Sequence, residues 1–293
     1  MRSWQRSELA SSPRVMGDPE LLAAVTELTG SKIEASWLLA SVDSTMEPEH
    51  VAATALALAR RRRAGEPLQY LIGRWPFRFI ELDLDARVLI PRPETEQLVG
   101  EVLEVWRTHR PDARRLTLVD LGTGSGAMGL SIRSELEAEA RFHRTILTDV
   151  SLDALEVATA NARRLGHLDV ELCAGSWFDA LDPSLLGSVD LLVSNPPYVT
   201  DSFRTEMAVE LGYEPEGALF SAEGPDGTPG FADVERIVSQ AAAWMASGGV
   251  LGVEMAEHHV VPAALIAERS GFARVERFVD LAGKPRGIVA VKS

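Results

Sequence analysis

Apolar residues recur at helical spacing in the first part of the chain and at alternating spacing directly after it. Between Pro19 and Arg63 they return every three or four positions, which predicts three short helices packed as a small bundle. From Ile80 to Leu84 apolar residues alternate with acidic ones, which predicts a strand. Trp75-Pro76-Phe77 is expected to turn the chain just before it. The pattern therefore predicts a helical N-terminal part followed by a β-hairpin.

The remainder of the chain alternates short β-rich runs with amphipathic stretches. Strands are predicted at Leu116–Asp120, Thr145–Asp149, Val170–Cys173, Val189–Ser194, Val250–Glu254, Val275–Val279 and Ile288–Val291. Helices are predicted at Glu96–Arg107, Ala127–Glu139, Leu152–Leu165 and Phe231–Met245. This alternation is typical of an α/β protein with an open, doubly wound and mostly parallel sheet. The irregular segment Val199–Gly230 follows a strand end and is predicted to be a loop over a site.

Composition narrows the possible functions. The chain has 29 Lys and Arg against 43 Asp and Glu, a formal net charge of −14, so we expect no direct nucleic-acid partner. Its one cysteine, Cys173, excludes a disulfide framework. No metal site is expected, because the adjacent His258 and His259 are expected to point in different directions. No apolar run has the length of a membrane span or resembles a secretory signal, so a cytoplasmic protein without membrane contact is expected. The protein is also expected to be a monomer.

A glycine-rich turn follows the first strand of the predicted sheet. It consists of Asp120, Leu121, Gly122, Thr123, Gly124, Ser125 and Gly126, with an apolar strand before it and a helix after it. Glycines permit the tight turn and let the backbone approach a ligand, and the absence of a following Gly-Lys-Ser/Thr excludes a P-loop. Asp149, at the end of the next strand, is placed to accept hydrogen bonds from a ribose or, alternatively, to cap the next helix. Together with Asp120 it suits a cationic ligand better than a pyrophosphate.

A second motif, Asn195-Pro196-Pro197-Tyr198, ends the strand Val189–Ser194. Prolines cannot continue a parallel ladder, so the backbone must leave the sheet at its carboxyl edge. Ligands bind at that edge in open α/β sheets. We therefore interpret both motifs as parts of one binding site.

The glycine-rich turn, Asp149 and the Asn-Pro-Pro-Tyr motif resemble the class I S-adenosylmethionine-dependent methyltransferases that act on amino or amide nitrogens. DNA adenine methyltransferases share the last motif, so the discriminating stretch is Leu-Ile-Pro-Arg-Pro-Glu-Thr-Glu at Leu89–Glu96. That stretch resembles the hallmark of the HemK/PrmC family, the peptide chain release factor glutamine methyltransferases. Gly65–Gly73, Tyr213-Glu214-Pro215 and Asp280–Arg286 resemble further landmarks of this family. The resemblance covers roughly Gly30 to Val291.

The resemblance implies a seven-stranded Rossmann-like methyltransferase fold with a small helical bundle before it. The implied division is a helical release-factor-binding domain at residues 1–73, a hairpin linker at 74–90 and a catalytic domain at 91–293. The implied cofactor is S-adenosyl-L-methionine. The implied substrate is the glutamine in the Gly-Gly-Gln loop of class I release factors, which is methylated on its side-chain nitrogen.

Each candidate residue has an expected role. Cofactor contacts are expected from Asp120, Gly122, Thr123, Gly124, Gly126, Asp149, Trp177 and Asn195. The side-chain oxygen of Asn195 and the carbonyl of Pro196 are expected to accept the two amide N–H groups of the substrate, while Tyr198 packs on the amide plane. These three residues are the predicted catalytic group, and Pro197 completes the substrate site. Pro91–Glu96 is predicted to form part of the wall or, for its two glutamates, to be a turn that begins the next helix.

Two departures from the family pattern keep other functions open. Ser176 stands where an acidic residue usually precedes the Trp-Phe pair, and Glu254-Met255-Ala256 stands where the family has Glu-x-Gly. Ser176 and Met255 are the best support for one alternative, a degenerate module that binds the cofactor without transferring methyl. A methyltransferase for another protein glutamine, for a ribosomal protein or for DNA adenine also remains open.

Charge is unevenly distributed along the chain. Residues 1–85 hold 10 Lys and Arg and 12 Asp and Glu, whereas residues 86–293 hold 19 and 31. The acidity therefore lies mostly on the predicted catalytic part, where a DNA enzyme would need the opposite sign. The run Arg60–Arg63 is interpreted as a solvated last helical turn or as a docking patch for a protein.

Overall fold

A computed structural model of the 293-residue chain describes residues 18–109, 115–139, 141–200, 202–203 and 208–293. Residues 1–17 of the predicted first domain lie outside the described residues, as do 201 and 204–207 of the predicted loop. The described chain divides into two compact units. The first contains residues 18–75 and Ala208–Tyr213, and the second contains the rest. The predicted boundaries at residues 73 and 90 stay predictions.

The first unit is a helical bundle, as the apolar spacing predicts. Its helices are α1 (Pro19–Thr29), α2 (Lys32–Ser41), α3 (Pro48–Arg63) and the short α4 (Leu68–Ile72). The Asp18 carboxylate caps α1 by accepting from the N–H groups of Glu20 and Leu21, and Gly30 ends it with a φ of 71°. The bundle core contains Val25, Leu38, Leu39, Ala55 and Ala59. Small alanines on α3 allow its neighbours to pack closely.

A two-stranded hairpin follows, formed by β1 (Arg74–Phe77) and β2 (Ile80–Asp83). The expectation that Trp75-Pro76-Phe77 turns the chain is wrong, because these residues lie within β1 and the reversal falls at Arg78 and Phe79. Pro76 is tolerated there because β1 is an edge strand and the proline side chain is exposed. Arg78 adopts the left-handed conformation that the tight reversal requires, with a φ of 50°.

The second unit contains the predicted seven-stranded sheet. Its strands are β3 (Arg115–Leu121), β4 (Arg141–Asp149), β5 (Glu171–Ala174), β6 (Val189–Ser194), β7 (Met245–Glu254), β8 (Phe272–Val279) and β9 (Pro285–Lys292). They lie in the order β5-β4-β3-β6-β7-β9-β8. All neighbours pair in parallel except β9, which is antiparallel to both β7 and β8. This confirms the predicted mostly parallel α/β sheet.

Helices cover the sheet and connect its strands. They are α5 (Pro93–His109), α6 (Ala127–Leu136), α7 (Leu152–Arg164), α8 (Glu216–Leu219), α9 (Ala232–Trp244) and α10 (Val260–Arg269). The sequence patterns identify α5, α6, α7 and α9 but miss α10, whose first turn contains Pro262, a position that tolerates proline. Among its described residues, the predicted irregular segment contains α8, a 3₁₀ turn at Val209–Tyr213 and an isolated β-bridge between Val199 and Phe220. None of the described helices combines the length and hydrophobicity needed to cross a membrane.

Strand register places the two motifs side by side. Leu121 of β3 pairs with Ser194 of β6 and with Thr148 of β4. Gly122, Asn195 and Asp149, each the next residue along its strand, therefore lie at the same carboxyl edge. The strand order reverses direction between β3 and β6, which is where open α/β sheets form a ligand crevice.

Candidate active site

The glycine-rich turn between β3 and α6 is held in a conformation that side chains disfavour. Gly122 has a φ of 68° and Gly126 a φ of 86°. A Cβ at Gly122 would lie 3.0 Å from the Trp177 ring, and one at Gly126 would lie 2.6 Å from the Leu130 Cδ1. Glycine is therefore required at both positions by backbone conformation and by close approach.

Asp120 supports the turn from behind. Its side chain is fully buried, and Oδ2 accepts from the Thr123 hydroxyl at 2.7 Å and from the Gly129 N–H at 2.9 Å. Its Oδ1 is buried without a hydrogen-bond partner among the described residues. Burial raises the pKa of this carboxyl to about 6. The structure thus places Asp120 beneath the turn, while Gly122, Thr123 and Gly124 line the cavity in front of it.

Asp149 lies at the cavity wall and bridges two segments. Its Oδ2 accepts from the Gly124 N–H and its Oδ1 from the Ser151 N–H, each at 2.9 Å. Helix α7 is capped by Ser151 itself, whose hydroxyl accepts from the Ala154 N–H at 3.2 Å. Burial raises the pKa of Asp149. Each carboxylate oxygen retains acceptor capacity, so the side chain can bind a ligand hydroxyl while it holds the turn.

Trp177 forms another wall of the cavity. It has a φ of 51°, which is unusual for a bulky residue, and its Nε1 donates to Asp233 Oδ1 at 2.9 Å. Asp233 Oδ2 accepts from the Ser221 hydroxyl at 2.6 Å. This hydrogen-bond chain fixes the indole against Gly122.

The Asn-Pro-Pro-Tyr motif extends outward from β6. Asn195 and Pro197 line the cavity, whereas Pro196 is buried. Asn195 Nδ2 donates to the Thr95 hydroxyl at 3.2 Å, and that hydroxyl donates to Glu254 Oε2 at 2.6 Å. The Tyr198 hydroxyl contacts the other carboxylate oxygen, Oε1, at 3.4 Å.

Burial shifts the pKa values of Glu254 and Tyr198. Burial, with a contribution from nearby Glu94, raises the pKa of Glu254 to about 7. Burial and the Glu254 charge also raise the pKa of Tyr198. Tyr198 therefore stays a neutral phenol whose hydroxyl can donate.

The segment Leu89–Glu96 closes the cavity from the side. Leu89, Pro91 and Thr95 line it, while Pro93 begins α5 and places the two glutamates in the first helical turn. Glu214, which is buried, accepts from the Ile90 N–H at 3.1 Å and from Arg92 Nη2 at 2.5 Å. Two landmarks that are more than 100 residues apart are thus joined by one carboxylate.

The resulting cavity has a volume of about 450 Å³. Its walls come from the glycine-rich turn, the ends of β4 and β6, the Trp177 turn, the segment before α5 and the segment around α8. Most of its lining is apolar, and its polar groups converge from the strand ends. Such a cavity accommodates a cofactor and leaves one polar corner, at Asn195, for a substrate group.

The two departures from the family pattern have different positions. Ser176 lines the cavity, and its hydroxyl accepts from Arg236 Nη1 at 3.3 Å. Met255 points away into the hydrophobic core and is fully buried. His259 is also buried, and its Nε2 donates to the Pro229 carbonyl at 2.8 Å. The described residues contain no group of three or more His, Cys, Asp or Glu side chains arranged for a metal.

Two contributors to the site, Asn161 and Asp233, were not found from the sequence, and the contact of a third, Glu214 of the landmark Tyr213-Glu214-Pro215, was not predicted. Asn161 Nδ2 donates to the Ser125 carbonyl at 2.9 Å, which anchors the glycine-rich turn to α7. Asp233 holds Trp177, and Glu214 holds Arg92. The only signal for Asn161 is a polar residue on the apolar face of an amphipathic helix, between Ala158 and Ala162.

Comparisons with known proteins agree with this architecture. Residues 2–73 match the model of the PrmC N-terminal domain, and residues 112–224 match that of a methyltransferase domain. The 16S rRNA N2 G1207 methyltransferase of T. thermophilus has a similar fold, with a TM-score of 0.51 and 18% identity over 75% of this chain and 50% of its own. The sheet order, the glycine-rich turn and the matched domain define a class I S-adenosylmethionine-dependent methyltransferase.

Relatives identify the family within this class. The release factor glutamine methyltransferase of Bordetella pertussis is 38% identical over 86% of this chain and 87% of its own length. That of Rhodopirellula baltica is 34% identical over 96% and 90%, respectively. The chain belongs to the release factor glutamine methyltransferase family. The expectation that the resemblance begins near Gly30 is wrong, since the N-terminal family model matches from residue 2.

Proposed function

We propose that the protein transfers a methyl group from S-adenosyl-L-methionine to the side-chain amide nitrogen of the glutamine in the Gly-Gly-Gln loop of class I release factors. The observation that carries this proposal is the Asn195 carboxamide, which lies at the cavity wall with its Nδ2 bound to Thr95. Its oxygen is thereby available to accept from a substrate N–H. A side-chain amide nitrogen, which carries two hydrogens, is a group that such an acceptor can orient.

The cavity fits the cofactor. Gly122, Thr123 and Gly124 provide a close backbone surface, Asp149 supplies an acceptor for ribose hydroxyls, and Trp177 offers a flat apolar face. The acidic surroundings, Asp120 beneath the turn included, favour a cationic ligand. When bound, S-adenosyl-L-methionine supplies an already activated methyl group on a sulfonium.

The task of the protein is then mainly alignment. A carboxamide nitrogen is a weak nucleophile, and positioning reacting atoms at about 3–3.5 Å removes much of a barrier of this kind. The Asn195 oxygen and the Pro196 carbonyl accept the two N–H groups of the substrate and stabilise positive charge on its nitrogen. Tyr198 packs on the amide plane, where its ring favours cationic character. The proton is lost to water after transfer, so no general base is required.

Residues 1–73 are proposed to hold the release factor. Arg61 pairs with Glu66 and Arg62 with Glu34 and Glu210, so these two cations are engaged within the helical unit. Arg60 and Arg63 are exposed and remain accessible to an acidic surface of a partner. We propose that the protein acts in the cytoplasm as a monomer and without direct nucleic-acid contact.

One experiment tests the function. The protein is incubated with methyl-labelled S-adenosyl-L-methionine and a class I release factor, either wild-type or with its loop glutamine replaced by alanine. Label is expected on the wild-type factor alone. Label on both forms contradicts the glutamine assignment, and label on neither favours another substrate or a binding module.

The Asn195→Ala variant tests the assigned acceptor. Loss of the carboxamide should reduce turnover by about 100-fold or more, the magnitude seen when a single charge-stabilising group is removed. Binding of the cofactor, measured by calorimetry, should persist because the glycine-rich turn and Asp149 are unchanged. Wild-type turnover in this variant would contradict the role given to Asn195.

A further inference from the structure

A buried chain of hydrogen bonds lies directly behind the Asn195 carboxamide. Asn195 Nδ2 donates to Thr95 Oγ1 at 3.2 Å, and Thr95 Oγ1 donates to Glu254 Oε2 at 2.6 Å. Thr95 is 4% exposed and Glu254 is 1% exposed, so water does not compete for these contacts. The chain connects the start of α5 and the end of β7 to the end of β6.

The direction of each hydrogen bond follows from the chemistry of the groups. An ionised carboxylate only accepts, so the single Thr95 hydroxyl proton points to Glu254. The Thr95 oxygen can then only accept from Asn195, which must offer its NH₂ rather than its oxygen. The carboxamide oxygen is left facing the cavity.

The other groups around Glu254 maintain this arrangement. The Tyr198 hydroxyl approaches the second carboxylate oxygen, Oε1, at 3.4 Å. Arg286 stabilises the negative charge of Glu254, whereas Glu94 opposes it. The two carboxylate oxygens of Glu254 thus each accept from one hydroxyl, that of Thr95 at the start of α5 and that of Tyr198 in the Asn-Pro-Pro-Tyr motif.

We propose that Thr95 and Glu254 are positioning residues that hold the Asn195 carboxamide with its oxygen toward the substrate and its NH₂ away from it. This inference rests on the proposed function, in which the Asn195 oxygen accepts from the substrate amide. An amide rotated by 180° would present two donors to a substrate group that itself donates. Two donors facing each other in a buried site lose a hydrogen bond and incur the desolvation penalty of both.

The substitution Thr95→Val removes the Thr95 hydroxyl while it keeps the shape of the side chain nearly the same, and so tests the role of that hydroxyl. The assay is run at pH 8, above the value of about 7 to which burial raises the pKa of Glu254. Turnover number should fall about 10- to 100-fold, as expected for loss of a hydrogen bond to a charged group. The KM for S-adenosyl-L-methionine should stay within about twofold. Thr95→Ser keeps the hydroxyl and should recover most of the lost turnover, whereas equal rates for the two variants would overturn the proposal.

A double-variant cycle tests whether Thr95 and Glu254 act together. In Glu254→Gln the carboxamide offers one acceptor in place of two, so the Thr95 proton is no longer directed uniquely. Because both residues act through Asn195, the double variant Thr95→Val/Glu254→Gln should be no slower than the slower single variant, within about threefold. Multiplicative losses would show independent effects and contradict the proposed chain.

An NMR measurement separates this inference from the proposed function. The chain has two asparagines, Asn161 and Asn195, so selective ¹⁵N labelling gives two side-chain NH₂ groups. In Thr95→Val the Asn195 NH₂ should shift and exchange its protons faster, while the Asn161 NH₂ stays unchanged and reports an intact fold. An unperturbed Asn195 signal overturns the positioning role, whatever substrate the protein methylates. An absence of methyl transfer by the wild-type protein contradicts only the proposed function.

Discussion

Asn161 offers a direct test of how the sheet holds its glycine-rich turn. Its fully buried side chain accepts from the Asp83 N–H at 2.7 Å and donates to the Asp83 carbonyl at 3.1 Å and to the Ser125 carbonyl at 2.9 Å. One side chain on α7 therefore fixes both β2 and the turn. Asn161→Ala removes all three hydrogen bonds and leaves the backbone in place.

The expected loss of stability depends on the backbone groups that Asn161→Ala leaves without a hydrogen-bond partner. Ser125 is buried, so its carbonyl loses a partner that water cannot replace, at a cost of about 1–3 kcal/mol. Asp83 is half-buried, and water can satisfy part of what its N–H and carbonyl lose. We expect the free energy of unfolding to fall by about 2–4 kcal/mol in total. Affinity for S-adenosyl-L-methionine should also fall, because the Ser125 carbonyl belongs to the turn that lines the cavity.

Urea denaturation followed by circular dichroism measures the stability, and calorimetry measures cofactor binding. Thr159→Ala is the matched control, since Thr159 lies on the same helix and its hydroxyl donates to the Leu155 carbonyl, one turn earlier, at 2.6 Å. The control should change stability by less than about 1 kcal/mol. If Asn161→Ala and Thr159→Ala behave alike in both measurements, the anchoring role of Asn161 is refuted.

Two further predictions concern the support beneath the turn. Gly129→Ala places a methyl group against a Leu147 methyl and 3.1 Å from the Asp120 carboxylate. The free energy of unfolding, measured by thermal denaturation, should therefore fall by about 1–3 kcal/mol. Gly212→Ala is the control, and it should not show this loss because the space around Gly212 is open. Burial raises the pKa of the folded Asp120 carboxyl to about 6 from its ordinary 3.8. The folded state therefore holds this proton more tightly than the unfolded state, and its stability should fall by up to about 3 kcal/mol as the pH rises from about 4 to about 6. Asp120→Asn should flatten this dependence in denaturation experiments across that range, and an unchanged slope would contradict the assignment to Asp120.

Local patterns were sufficient for most of the secondary structure. The spacing of apolar residues predicts the helical first unit, and the short β-rich runs predict the strands of the sheet, because both patterns reflect burial along single elements. The errors in the predicted secondary structure occur at prolines. Pro76 is typical of a turn but lies on an edge strand, and Pro262 in the first turn of α10 caused that helix to be missed. Proline is accepted in both places, since neither requires its missing N–H.

The fold class, the two motifs at strand ends and the family that they resemble could all be assigned from the order of the amino acids. This was possible because strand, glycine-rich turn and helix are local, and because parallel strands bring their carboxyl ends to one edge. The sequence located Asn195 and Asp149 correctly at that edge, and it assigned Asp120 to the same surface although its side chain lies beneath the turn.

The side chains that support the site become apparent once distant segments are packed together in the folded protein. Thr95 and Glu254 are 159 positions apart, and Asn161 and Asp83 are 78 apart, so no spacing along the chain relates them. Their contacts depend on how α5, α7 and β7 pack around the sheet. Which group donates and which accepts in a buried hydrogen bond can be assigned only when both partners are known. For this reason the orientation of the Asn195 carboxamide is a property of the folded protein and not of its motif.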